Sequence, residues 1–251
     1  MELGLKGKKA LITGGTSGFG KETARLFLEE GVSVAINYAQ NDGRARDAYE
    51  ELKDKGKVIV VKGDVGDYKE AEKVVDEVIN KFGTIDILVH SAGIAQPKED
   101  TPENWDKVMK VHLYSCYNLG KLVSPVMMNQ KTGKIIIISS FAAHMTDISA
   151  YSVAMAGKIC YAKGLAKKLA PYNINVNTVS PGNIFTPMLD PFIPVEKRRE
   201  FSEQNIPLYK GREGYPEAIE VAKVVLFLAS DMARHITGED IKVDGGQFIH
   251  Y

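Results

Sequence analysis

The chain has 251 residues, and its 32 lysines and arginines balance 32 aspartates and glutamates, which leaves a formal net charge of zero. A neutral chain lacks the general electrostatic attraction that draws proteins to nucleic acids or acidic membranes, so we expect neither as a partner. Hydrophobic residues make up 44% and charged residues 25%, which is typical of a folded domain and excludes global disorder.

Strand and helix signals alternate along the whole chain. Apolar runs without strict alternation predict strands that are buried on both faces of a parallel sheet, at 10–13, 32–36, 58–61, 85–89, 135–138, 174–179 and 241–243. Amphipathic stretches between them predict helices at 20–30, 44–55, 68–82, 103–128, 150–170 and 216–229. This βαβ order predicts an α/β fold with one doubly wound, Rossmann-like parallel sheet and helices on both faces.

One stretch, residues 180–215, has no clear periodicity and is rich in proline and aromatic residues. A loop of this length in a compact domain usually covers or contacts a ligand. We therefore expect a single domain over 1–251 with a substrate lid at about 183–215. Apolar side chains such as Met188 and Phe192 could cover a hydrophobic chain, with core or intersubunit packing as the alternative.

A glycine-rich turn, TGGTSGFG, fills residues 13–20 between the first strand and the first helix. Glycines allow the backbone to approach a pyrophosphate closely, and the helix N-terminus supplies free N–H groups and a positive dipole end. The turn therefore predicts a dinucleotide cofactor. Its candidate contacts are Gly14, Thr16, Ser17, Gly18, Phe19 and Gly20.

This turn resembles that of the short-chain dehydrogenase/reductase family, and the resemblance extends over almost the whole chain. Later segments resemble the family's adenine contact, its turn after the fourth strand, here with His90 and Ser91 in place of two asparagines, and its nicotinamide-binding stretch. The sequence VDGG at 243–246 resembles its C-terminal signature. The cofactor contacts that the resemblance implies are Asp64, Val65, Ser91, Ala92, Gly93, Pro181, Gly182, Ile184 and Thr186.

The end of the second strand bears on the choice between NADPH and NADH. An acid there would bind the ribose hydroxyls of NADH and repel a 2′-phosphate. Residues 37–41 include no acid, and the first one after the strand is Asp42. The neutral strand end favours NADPH, whereas Ser17, where many NADP-using relatives carry a cation, argues for NADH. Arg44 and Arg46 are either phosphate contacts or solvated helix residues. The candidate contacts at this strand end are Asn37, Tyr38 and Ala39.

Family members that reduce ketones usually carry a serine, a tyrosine and a lysine four residues after the tyrosine. The candidate serine and tyrosine here are Ser140 and Tyr151, but Met155 stands at the lysine position. His112 occupies the place of the usual helix asparagine. The ordinary carbonyl-reductase site is therefore altered at two positions.

Lys158 lies seven residues after Tyr151, and seven residues return a helix to nearly the same face. A tyrosine and lysine at this spacing resemble the active-site helix of enoyl-acyl-carrier-protein reductases, in the NADPH-dependent subgroup that keeps the TGxxxGxG motif. The resemblance implies NADPH-dependent reduction of the C=C bond of an enoyl thioester, as in fatty acid biosynthesis. Tyr151 would donate to the developing enolate oxygen, and Tyr151 and Lys158 would both contact the cofactor. The candidate catalytic residues are Tyr151, Lys158 and Ser140.

Two other functions remain open: a carbonyl reductase or alcohol dehydrogenase with an altered proton relay, and a non-catalytic NADP-binding protein. We interpret His112 as a helix-packing residue rather than a proton relay, and His144 as a solvent-exposed loop residue.

We expect a small-molecule or carrier-bound acyl substrate and no metal, because no cluster of side chains has metal-ligand spacing. The resemblance implies a homo-oligomer, with a homotetramer as the expected form. Two cysteines and an N-terminus without a signal-peptide pattern favour the cytoplasm.

Overall fold

The fold is built on one parallel sheet. The computed structural model describes residues 2–145 and 147–249. Its sheet has the strand order β3-β2-β1-β4-β5-β6-β7, and each neighbouring pair is parallel. The strands are β1 (Lys9–Thr13), β2 (Ser33–Tyr38), β3 (Val58–Lys62), β4 (Ile87–His90), β5 (Gly133–Ile138), β6 (Ile174–Pro181) and β7 (Asp240–Val243). The predicted doubly wound α/β fold is confirmed.

Helices cover both faces of this sheet. They are α1 (Gly18–Glu29), α2 (Asp42–Leu52), α3 (Tyr68–Phe82), α4 (Pro102–Met109), α5 (Ser115–Gln130), α6 (Ala150–Leu169), α7 (Arg198–Asn205) and α8 (Ala218–Ala229). Successive strand residues enter different cores, since side chains alternate across a strand. Leu11 packs with residues of α3, α5 and α6, whereas Ile12 packs with residues of α1, α2 and α8. The near-continuous apolar runs of the sequence follow from this burial on both sides.

Most predicted elements lie within a few residues of the observed ones, and the helix predicted at 103–128 is present but contains an unpredicted π turn. The structure divides it into α4, a π-helical turn at Lys110–Tyr114 and α5. A π turn inserts one extra residue into the helical repeat and occurs often at functional sites. His112 lies in this turn, and its ring contacts the backbone of Ile94 in the segment that follows β4.

The strand order reverses at β1, whose neighbours are β2 and β4. In doubly wound sheets, ligands bind beside such a switch point at the carboxyl ends of the strands. The glycine-rich turn follows β1, Ser91 follows β4, and Ser139 and Ser140 follow β5, so the fold gathers all of them at one edge. Among the described residues, no helix combines the length and the apolar character that crossing a membrane requires.

Candidate active site

A cavity of about 520 Å³ lies at this carboxyl edge, a volume in the usual range for small-molecule sites. Most of the predicted cofactor contacts line it. They are Gly14, Thr16, Ser17, Gly18, Phe19, Asn37, Tyr38, Ala39, Asp64, Val65, Ser91, Ala92, Gly93 and Thr186. The structure thus brings together segments that follow β1, β2, β3, β4 and β6.

Other predicted site residues lie outside the lining of this cavity. Gly20 packs directly against the start of the glycine-rich turn, because a Cβ there would lie 2.3 Å from the Gly14 carbonyl oxygen. Ile184 is buried in the core on the α8 side of the sheet. The remaining residues outside the lining are Pro181, Gly182, Ser140, Tyr151 and Lys158.

The cavity also contains residues outside the predicted contact set, among them Arg44 and Met188, for which the sequence left two interpretations open. Lys107 and Val111 reach it from α4 and the π turn, and no local sequence signal indicates this approach. Asn41 adopts a left-handed conformation and caps the Arg44 N–H, which folds the start of α2 toward the cavity. The full additional set is Gln40, Asn41, Arg44, Gly63, Ile94, Lys107, Val111, Pro187 and Met188.

The glycine-rich turn fits the pyrophosphate of a dinucleotide. Gly14 has a φ of +63°, and a Cβ at this position would lie 2.9 Å from the Ala92 Cα atom. Only glycine therefore allows the β1 and β4 loops to approach each other this closely. The side chain of Ser17 precedes α1 but makes no capping hydrogen bond, so the first N–H groups of the helix remain available to an anion.

The first acid after β2, Asp42, is paired with a lysine, so its negative charge is neutralised. The Asp42 carboxylate accepts hydrogen bonds from Lys62 Nζ at 2.8 Å and from the Tyr38 hydroxyl at 2.8 Å. Asn37 is buried, and its amide donates to carbonyl oxygens of the β3 segment rather than facing a ligand as a free group. Arg44 lines the cavity directly.

Ser140 and Tyr151 lie together at the carboxyl end of β5. Burial raises the pKa of the Tyr151 phenol, and the nearby Ser140 hydroxyl offsets part of that rise. The Tyr151 backbone N–H, in the first turn of α6, donates to Gln96 Oε1 at 3.1 Å. The loop after β4 therefore holds the start of the helix that carries the tyrosine.

Lys158 is fully buried, and its Nζ donates to the Ile138 carbonyl oxygen at 2.9 Å. Burial lowers the pKa of this amine to about 8. Met155, at the usual lysine position, is also buried, and its carbonyl oxygen accepts from Ser139 Oγ at 3.0 Å. These two contacts attach α6 to the end of β5, and Lys158 is not among the residues that line the cavity.

The two histidines near the site are buried and neutral. Burial lowers the pKa of His112 to about 3, and its Nε2 lies 2.9 Å from the Ile94 carbonyl oxygen. Its ring contacts Tyr151 edge-on, with centroids 5.2 Å apart, which agrees with the packing interpretation. His90 lies between Thr13 Oγ1 at 2.9 Å and Ser115 Oγ at 3.0 Å, and burial lowers its pKa well below the ordinary value.

The segment that was expected to form a lid is partly folded. Phe185 is buried, whereas Phe192 is exposed. The Arg198 guanidinium lies over the rings of Phe185 and Tyr215, at 5.2 Å and 5.5 Å from their centroids, and pairs with Asp190. These contacts fix the start of α7 to the segment that follows β6.

His144 is not the solvent-exposed residue that the sequence suggested. Its side chain is 28% exposed, and its Nε2 lies 2.8 Å from Asp240 Oδ2. The partner stands 96 positions further along the chain, so no local pattern could predict the pair. Within the described ranges 2–145 and 147–249, no group of three or more potential metal ligands occurs.

Comparison with known proteins places this geometry among nicotinamide-dependent enzymes. A family model described as "Enoyl-(Acyl carrier protein) reductase" matches residues 14–247. The chain is 41% identical to a Thermotoga maritima protein named 3-oxoacyl-[acyl-carrier-protein] reductase FabG, over 98% of this chain and 99% of that protein. A Staphylococcus aureus protein of the same name is 34% identical, over 96% of this chain and 98% of its own length.

Solved structures show the same architecture. Levodione reductase superposes with a TM-score of 0.87 at 30% identity, covering 98% of this chain and 99% of its own. A short-chain type dehydrogenase/reductase from Mycobacterium marinum superposes with a TM-score of 0.88 at 30% identity, covering 99% of this chain and 98% of its own.

Proposed function

Because the chain belongs to the short-chain dehydrogenase/reductase family and is an oxidoreductase that uses a nicotinamide cofactor, we propose that it reduces the 3-keto group of a 3-oxoacyl thioester with NADPH. The proximity of Ser140, which follows β5, to Tyr151 in the first turn of α6 carries this proposal. The names of the Thermotoga maritima and Staphylococcus aureus relatives support the substrate class, with an acyl carrier protein as the natural thioester carrier.

The residues of this chain divide the work between binding and proton transfer. NADPH, when bound, supplies the hydride that adds to the keto carbon. The uncapped N-terminus of α1 would hold the pyrophosphate of NADPH. Arg44, which lines the cavity, would pair with the 2′-phosphate. The nearby Asp42 carboxylate would repel this phosphate less, because it is paired with Lys62. Tyr151 keeps its proton at neutral pH, so it can donate to the developing alkoxide while Ser140 hydrogen-bonds the same oxygen.

Reduction of an enoyl thioester is the second candidate. It is favoured by the seven-residue spacing from Tyr151 to Lys158 and by the description of the matching family model. That reaction, as inferred from the spacing, needs the Lys158 amine at the nicotinamide ribose. The bond from Lys158 Nζ to the Ile138 carbonyl directs the amine elsewhere, and we therefore rank this reaction second.

A comparison of turnover with two classes of thioester distinguishes these functions. We would measure NADPH oxidation with acetoacetyl and crotonyl thioesters of coenzyme A and of acyl carrier protein. The proposal expects kcat/KM for the 3-oxo substrate to exceed that for the enoyl substrate by at least about tenfold, a difference of roughly 1.4 kcal/mol in transition-state binding. The reverse ratio would establish the enoyl reaction. Tight NADPH binding without turnover of either thioester would leave the non-catalytic alternative.

We also propose that the chain forms a homo-oligomer through α5 and α6. Tyr114, in the π turn, and Tyr117, on α5, are each more than half exposed, and Val153 is 40% exposed on α6. Exposed apolar surface on neighbouring helices is typical of an interface between proteins. Light scattering on the purified chain measures its mass, and a monomer at micromolar concentration would contradict this part of the proposal.

A further inference from the structure

The turn that carries Ser140 has its own attachment to the sheet. Ser140 precedes a 3₁₀ turn at Phe141–His144, and its Oγ accepts from the Ala142 N–H at 3.2 Å. The Ser140 carbonyl accepts from the Ala143 N–H at 3.0 Å. The orientation of the Ser140 side chain is therefore coupled to the position of the whole turn, which ends at His144.

His144, at the end of this turn, bonds a largely buried carboxylate. Asp240 begins β7, its side chain is 9% exposed, and its Oδ2 lies 2.8 Å from His144 Nε2. Two hydroxyls of the neighbouring strand β6 donate to the same carboxylate: Thr178 Oγ1 at 2.5 Å and Ser180 Oγ at 2.8 Å. With its other acceptor positions taken by the sheet, Asp240 is a fixed point to which the imidazole can attach.

A second side chain of the turn is also held. The ring of Phe141 stacks on that of Phe248, with centroids 3.9 Å apart and planes 4° from parallel. This stack is apolar and allows sliding, whereas the bond from His144 to Asp240 is directional. The imidazole is thus the contact that sets where the turn lies along the sheet.

We propose that His144 is a positioning residue, which through its bond to Asp240 holds Ser140 in place beside Tyr151. This inference rests on the proposed function only in assigning a catalytic role to Ser140. His144 acts as an N–H donor toward Asp240, and the substrate oxygen is contacted by Ser140 and Tyr151.

Variants at position 144 separate the effect of the hydrogen-bond donor from the effect of side-chain size. His144→Phe keeps a ring but removes the donor, and His144→Gln keeps an N–H at similar reach. We expect His144→Phe to lower kcat by about ten- to a hundredfold, since a displacement of about 1 Å costs that order of rate. We expect KM and the NADPH Kd to change less than about twofold. His144→Gln should restore most of the rate, and His235→Phe, the same exchange at an exposed histidine, should change nothing.

A double-mutant cycle tests whether His144 acts through Ser140. In a Ser140→Ala background, adding His144→Phe should lower kcat by less than about twofold, because the group that it positions is already gone. An equal loss in both backgrounds would overturn the proposal, as would an unchanged rate in His144→Phe or a failure of His144→Gln to restore it.

Hydrogen exchange gives a readout that does not depend on turnover. The amides of Ala143 and Met145 donate within the turn, to Ser140 and Ala142. His144→Phe should increase their exchange while α6 keeps its protection, and His144→Gln should not. Unchanged exchange in His144→Phe refutes the positioning role even if no thioester is turned over. Increased exchange in an inactive protein would instead retain the role and reject only the proposed function.

Discussion

Replacing Lys158 with methionine tests the charge that the fold buries at the carboxyl end of β5. The side chain is fully buried, and its ammonium has the Ile138 carbonyl oxygen as its hydrogen-bond partner. Methionine has a similar length and no charge. We expect Lys158→Met to make the stability of the protein less dependent on pH in the alkaline range.

The magnitude follows from the pKa of the buried amine. Burial lowers the pKa of Lys158 from 10.5 to about 8, and at 1.36 kcal/mol per unit this corresponds to roughly 3 kcal/mol. Between these two values the unfolded chain retains a proton that the folded chain has lost, so stability rises with pH across that window. Below about pH 8 the wild type carries the full cost of the buried charge.

The Lys158→Met variant lacks this cost at every pH. Its loss of the bond to the Ile138 carbonyl subtracts about 1–3 kcal/mol, and the dependence of that bond on protonation is already contained in the lowered pKa of Lys158. The stability of the variant relative to wild type should therefore fall by roughly 3 kcal/mol as the pH rises from 8 to 10.5. Urea unfolding followed through the single tryptophan, Trp105, measures this difference.

The exposed Lys163, on the same helix, provides the matched control. Lys163→Met should follow the wild-type pH dependence throughout, because its ammonium faces water. A constant difference in stability between wild type and Lys158→Met over the whole range would refute the reasoning, since it would mean that folding does not lower the pKa of Lys158.

Three further predictions concern the cofactor and the phenol. Arg44→Ala should raise KM for NADPH by about tenfold or more and leave KM for NADH nearly unchanged, because only NADPH carries the 2′-phosphate; equal effects on both would contradict the assignment. Gly14→Ala should weaken NADPH binding measured by fluorescence titration and lower Tm, because its Cβ would lie 2.9 Å from Ala92 Cα; wild-type affinity would disprove the close approach. Tyr151→Phe should lower kcat by about 10²–10⁴ with an unchanged NADPH Kd, and a smaller loss would assign the proton to another donor.

The fold was predictable because its signals are local. Apolar runs and the helices between them require a parallel sheet, and the glycine-rich turn lies where the first strand meets the first helix. The π turn at Lys110–Tyr114 was missed because the apolar periodicity of the sequence continues through it with no helix-breaking residue.

The candidate site was predictable only where contacts follow the chain. Residues of the glycine-rich turn lie consecutively, and the sequence indicated them together. Lys107 lines the cavity from a different element, and the bond from His144 to Asp240 joins residues on opposite sides of α6 in the sequence. Helical periodicity put Lys158 on the face of Tyr151, but it could not show which acceptor binds the amine, because that depends on the depth at which α6 packs against β5.

The surroundings of Tyr151 imply a difference between the two directions of the reaction. Burial raises the pKa of the phenol, Met155 places no cation one turn away, and the Lys158 amine is bound to Ile138. The phenol therefore remains a proton donor at neutral pH, which suits reduction, whereas oxidation of an alcohol needs the phenolate as a base. We expect kcat for oxidation of a 3-hydroxyacyl thioester with NADP⁺ to rise with pH until it passes 10, the ordinary tyrosine pKa. The reduction rate should stay level from neutrality into the mildly alkaline range. An oxidation rate that reaches its plateau near neutrality would mean that a cation lowers the phenol pKa after all, and the lysine would then have to reach the site when cofactor binds.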